Sequence, residues 1–136
     1  MKRRHAVLVA ALLLAAFALA SAEEQLVTIK PEKPTVGAEV TIRYNPLVKD
    51  APLFGKEVVD VQVLLFREKE MPIMLEAGMK KNGKVWEAKL KLNDTKSLCG
   101  LMRFSSDEVA DTNQDQYWDF LIHDKSGKPV QSAHLA

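Results

Sequence analysis

Asp111, Asn113 and Asp115 alternate with Thr112 and Gln114, and oxygen donors at every second position are the spacing by which a looped backbone aims several ligands at one calcium ion. The pattern then breaks off. A helical calcium loop needs glycine at its sixth position and a bidentate glutamate at its twelfth, and here those places hold Gln116 and Ile122. Asp107 or Asp119 would have to complete a site of another kind, and Asp and Asn in such runs also make side-chain turns with their own backbone. No cofactor is expected, with calcium at Asp111, Asn113 and Asp115 as the alternative.

Met71, Met74 and Met79, with His123 and His134, are soft ligands of the kind that hold Cu(I). Methionine also fills irregular gaps, and Met71 and Met74 flank Pro72 in a segment that must pack irregularly. Nothing points to catalysis: the chain has no nucleophile elbow, phosphate loop, paired-histidine zinc motif or CxxC. Asp119 and His123 share a strand face, but four residues along a strand place them about 13 Å apart, beyond hydrogen-bond reach. Cys99 is the only cysteine, so no intramolecular disulfide can form, and with no histidine near it in sequence it reads as a buried, inert thiol. The chain is expected not to be an enzyme.

Trp86 and Trp118 are the first candidates for a sugar-stacking platform, yet each shares its phase with apolar neighbours. Trp86 runs with Ala88, Leu90 and Leu92, and Trp118 with Phe120 and Ile122, so both read as core residues between two sheets. Tyr117, in the outward phase beside a polar loop, is the better exposed aromatic and the expected ligand-binding residue, with a hydroxyl that tethers the loop as the alternative.

The elements that position these groups follow from the punctuation of the chain. Lys2, Arg3 and Arg4, the apolar run Ala6 to Ala20 and the small residues Ala20-Ser21-Ala22 read as a helical secretory signal peptide over 1–22. An uncleaved anchor is the alternative, but it would need about 20 apolar residues. Residues 23–136 then form one small domain with no further membrane span. Three of the 19 basic residues precede Glu23 and all 18 acidic ones follow Ala22, leaving 16 against 18, a formal charge of −2. No nucleic-acid partner is expected from that balance. Glu23 stands where a bacterial lipoprotein would carry its cysteine, so a soluble secreted or periplasmic product is expected.

Beyond residue 22, apolar residues repeat every second position between Pro, Gly and Asn, the period of half-buried strands. Strands are expected at Leu26 to Ile29, through Val40, Ile42 and Tyr44, and at Val58 to Arg67 with Val59, Val61, Val63 and Leu65 on one face and Asp60 and Gln62 on the other. Met71 to Leu75 is expected as an edge strand or an extended connection because Pro72 cannot donate to a ladder. Asn82-Gly83 predicts a hairpin with positive φ at both residues, joining Met79 to a long strand from Trp86 to Leu92. Leu98 to Phe104 continues the sheet, Ser105 to Gln116 reads as a polar loop, and Tyr117 to His123 as a strand with Asp119 and His123 outward. Ser126-Gly127 turns back to a last strand around Val130. Seven or eight such strands predict an all-β, immunoglobulin-like antiparallel β-sandwich, with an open barrel as the alternative.

The stretch Met79-Lys80-Lys81-Asn82-Gly83-Lys84-Val85-Trp86, the alternation to Leu92, the strand ending at Phe104, Asp111-Thr112-Asn113 with Tyr117, and Asp124-Lys125-Ser126-Gly127-Lys128-Pro129-Val130 resemble secreted bacterial immunoglobulin-like modules. Two groups are similar: starch-binding carbohydrate-binding modules, and the N-terminal modules of exported thioredoxin-like or tetratricopeptide proteins. The resemblance implies the sandwich fold and a binding role. Starch-binding modules carry aromatic platforms on the early strands, whereas Val58 to Arg67 contains neither tryptophan nor histidine. The expected function is an exported, non-enzymatic module that binds a protein or envelope component through end loops or the Met71 to Leu75 edge. An α-glucan-binding module and a calcium-dependent binding module are the alternatives.

Overall fold

The computed structural model describes residues 24–130, so the expected signal peptide and residues 131–136 lie outside the described residues. Alternating apolar and polar side chains leave each strand with one face that must be covered, and two sheets do this for each other. One sheet runs in the order β1 (Val27–Lys30), β2 (Glu39–Tyr44), β6 (Val85–Lys91), β5 (Lys80–Asn82). The other runs β4 (Glu70–Gly78), β3 (Asp60–Arg67), β7 (Ser97–Ser106), β8 (Val109–Asp111), with β9 (Trp118–Leu121) also on β7. Every strand pair is antiparallel. This is the strand order of an immunoglobulin-type sandwich, A-B-E-D against C-F-G, with β4 added at the C edge.

The inward residues follow the sequence phase. Val40, Ile42, Val59, Val61, Val63, Phe104 and Ile122 are fully buried, and Trp86, Ala88, Met102 and Phe120 nearly so. Trp118 is half-buried, packs on this core and meets Phe104 edge-on, ring centroids 5.5 Å apart. The chain passes from one sheet to the other at Met79, which is buried and whose N–H donates to Val59 O at 2.8 Å. Met79 therefore belongs to the core, while Met71 and Met74 lie exposed on β4, so the three thioethers do not share a site.

Four local expectations are corrected. Nine strands form among the described residues because the short arms β5 and β8 also pair. Ser105 to Gln116 is not one loop: Asp107, at φ 52°, turns the chain so that Val109–Asp111 returns along β7. At the β5–β6 hairpin Asn82 pairs with Val85, so the turn residues are Gly83 and Lys84, and only Gly83 has positive φ (66°). That requirement falls on the one residue without a Cβ. His123 does not face outward. β9 ends at Leu121, and His123 is buried, donating its N–H to Pro34 O at 2.8 Å, with Nδ1 2.8 Å from Leu121 O and bridges to Thr35 and Pro129.

Gly100 has a specific reason to be glycine. It pairs with Phe120, whose ring lies over it; a Cβ there would come within 2.4 Å of the Phe120 ring. Because Phe120 is packed in the core, Gly100→Ala is expected to lower stability by about 2 kcal/mol, as overpacking typically does. Urea unfolding of the two chains checks this; equal midpoints would show that the ring moves aside freely.

Candidate functional site

Two anchors on β7 define the site. Phe104 pairs with Asp111 of β8 and Met102 with Trp118 of β9, so Arg103 alone faces the stretch Thr112 to Tyr117. That stretch is too long to stay in the ladder and leaves the sheet as a loop. Asn113, Gln114 and Asp115 are consecutive left-handed residues (φ 55°, 56° and 64°), followed by Tyr117 at 58°. Asn and Asp tolerate this conformation best, which accounts for their place in the loop.

The loop is held by its own side chains. The Asn113 N–H donates to Asp111 Oδ1 and the Asp115 N–H to Thr112 Oγ1, each at 3.1 Å. Thr112 Oγ1 donates to Asp115 Oδ1, and Asn113 Nδ2 to Tyr117 O, also at 3.1 Å. Asp111 is buried, and its Oδ2 accepts the Tyr44 hydroxyl at 2.7 Å. Of the three expected calcium ligands, Asp111 thus has both oxygens engaged inside the sandwich, while Asn113 and Asp115 are used in turns. Among the described residues no group of three or more His, Cys, Asp or Glu side chains is arranged to hold a metal ion. The alternation of donors serves the Asx-turn geometry that such runs favour.

Tyr44 lies fully buried with its ring 4.9 Å from that of Phe104, and its oxygen accepts the Leu53 N–H at 3.3 Å. Burial, then the bond to Asp111 and the Asp111 charge, push the Tyr44 hydroxyl well above the ordinary tyrosine range, against a smaller opposite effect from Leu53 N–H. Burial likewise raises the Cys99 thiol, with the Asp119 charge adding to it, which disfavours the thiolate.

Tyr117, the expected ligand-binding residue, is 37% exposed and forms one wall of a groove of about 360 Å³ on the outer face of the five-stranded sheet. The floor follows from register. Leu64 lies between Met74 and Leu101, and Gln62 between Glu76 and Arg103, giving an apolar row beside a polar one. Met74 is 55% exposed, and Leu64 and Leu101 are half-buried. Gln62 Nε2 donates to Ser105 Oγ at 3.0 Å, and among the described residues neither Glu76 nor Arg103 makes an ion pair.

Sequence reasoning names Tyr117 but not Leu64, Met74, Leu101 and Arg103, which line the groove with it. A signal was present: Val63-Leu64-Leu65-Phe66 and Leu98-Cys99-Gly100-Leu101 are apolar in both strand phases, whereas a sheet with one solvated face alternates. Comparison of the chain with protein-family models, curated proteins and solved structures found no match.

Replacing Tyr44 by Phe leaves the buried Asp111 carboxylate and the Leu53 N–H without their partner, and is expected to cost about 2–3 kcal/mol. The pH dependence has a definite sign. Below about pH 10 the phenol is protonated in both states and its contribution is intact; above that the unfolded chain ionises first, so stability falls as pH rises. Thermal melts between about pH 9 and 11 should show a steeper loss for the native chain than for Tyr44→Phe; parallel curves would contradict the assignment.

Proposed function

We propose that the protein is an exported, non-enzymatic interaction module that binds a protein partner through the outer face of its five-stranded sheet. One observation carries the reading: Met74, Leu64 and Leu101 form a continuous apolar row on a sheet face that no other strand among the described residues covers. Exposed contiguous apolar surface rimmed by polar groups is the usual mark of an interaction site. Glu76 and Arg103 bracket Gln62 beside that row and Asp119 closes the row next to Leu101, so charges of both signs rim the apolar side chains, an arrangement that orients a partner more than it adds affinity.

Export rests on the basic, apolar and small-residue pattern of residues 1–22. Among the described residues no helix is long and apolar enough to cross a membrane. The resemblance to secreted immunoglobulin-like modules supports a binding role. The groove favours a protein over a glucan because its floor is aliphatic and Tyr117 is its one aromatic wall, whereas both indoles pack toward the core. Sugar stacking relies on flat exposed rings, and aliphatic floors suit protein side chains.

Capture from the envelope fraction with the full chain as bait tests the proposal. Leu101→Lys places a charge in the apolar row without entering the core, opposite Asp119 as an opposite-charge cross-strand pair, and is expected to reduce recovery of the partner at least about tenfold with little change in the melting temperature. Equal recovery by both chains would remove this face from the function. Retardation in soluble starch, lost in Tyr117→Ala, would replace the protein partner by a glucan.

A further inference from the structure

A second groove, independent of the outer sheet face, opens between the segment that follows β2 and the β5–β6 hairpin. It measures about 340 Å³ and is lined by Leu47, Phe54, Lys56, Lys81, Lys84 and Trp86 among others. Leu47 is 52% and Phe54 65% exposed, an unusual outlay of apolar surface on a loop that is otherwise polar at its edges. The Lys81 ammonium stands 5.6 Å from the centre of the Trp86 ring, within cation–π range, which holds it over the groove wall. Trp86 is buried, and its Nε1 has no hydrogen-bond partner among the described residues.

The charge is one-sided. No acidic side chain lines the groove, and among the described residues none of its three lysines makes an ion pair. Three ammonium groups around an apolar trough complement an anionic head joined to an apolar body. The volume lies at the small-ligand end of the range for binding sites, which favours a single molecule over a flat surface. We propose that this groove binds a single-chain anionic amphiphile, a carboxylate on an apolar tail, with its head among Lys56, Lys81 and Lys84 and its tail along Leu47 and Phe54.

Trp86 supplies a local reporter. Trp118, the other indole of the chain, does not line the groove, so the full-length Trp118→Phe variant leaves Trp86 as the only source of indole fluorescence. Decanoate brominated at its tail, titrated below its micelle concentration, is expected to quench Trp86 saturably. Adding Lys56→Gln, Lys81→Gln and Lys84→Gln together should weaken that binding about tenfold or more with only a small change in melting temperature, because Lys81 and Lys84 are exposed, Lys56 is half-buried, and none of the three makes an ion pair among the described residues. Brominated decanol, which lacks the charge, should quench far less. If Trp118→Phe does not fold, the same contrast between lysine and glutamine is read in the native chain over a constant Trp118 background. Absence of quenching, equal quenching after the lysines are replaced, equal quenching by the alcohol, or binding to phosphatidylglycerol vesicles without binding of the monomeric amphiphile would each overturn the proposal.

Discussion

The hydrogen bond from the Tyr44 hydroxyl to the Asp111 carboxylate crosses the interior from one sheet to the other, and the loop that carries Tyr117 takes its position from it. A carboxylate inside a sandwich is costly unless its oxygens are occupied, and here the phenol takes one and the Asn113 N–H the other. The same phenol accepts the Leu53 N–H, so the segment after β2 is tied to the same point. Asp111 is also the last residue of β8, which sets where the chain departs from β7 and where the loop carrying Tyr117 begins.

A second constraint is the double duty of β3 and β7. Their inward residues, Val61, Val63, Leu65, Met102 and Phe104, build the core, while Leu64 and Leu101 place apolar side chains on the opposite surface. Contiguous apolar side chains on an outer sheet face are the surface feature that the proposed binding role rests on, and a polar row of Gln62, Glu76 and Arg103 runs beside them. The lysine-lined groove is built differently, from a connecting segment and a hairpin rather than from a sheet face. The two surfaces are chemically distinct, one rimmed by charges of both signs and the other lined by lysines as its charged groups.

Reading the chain in periods of two located the strands through Val40, Val61, Trp86 and Phe104, because a buried face leaves a repeated mark. The same rule failed at His123. Alternation describes a residue only while its strand continues, and β9 ends at Leu121. It failed at Val109–Asp111 as well, since a three-residue arm is too short to show a period. The Asp111 run illustrates a different limit. Its alternating oxygens suit calcium ligation and turn formation alike, and the hydrogen bond that Asp111 makes to Tyr44, 67 residues away, leaves no mark in that local pattern.

By itself, the sequence determined the all-β character, the two-faced strands, the half-exposed Tyr117 and the interior place of Trp86, because each depends on local period and residue type. Only the tertiary structure decided that Met74, Leu64 and Leu101 lie in one row, that Asp111 turns inward, and that Lys56 meets Lys81 and Lys84 around one groove. Those facts depend on strand register and on which segments the sandwich brings together. Such pairings arise between residues far apart in the chain, where no local pattern records them.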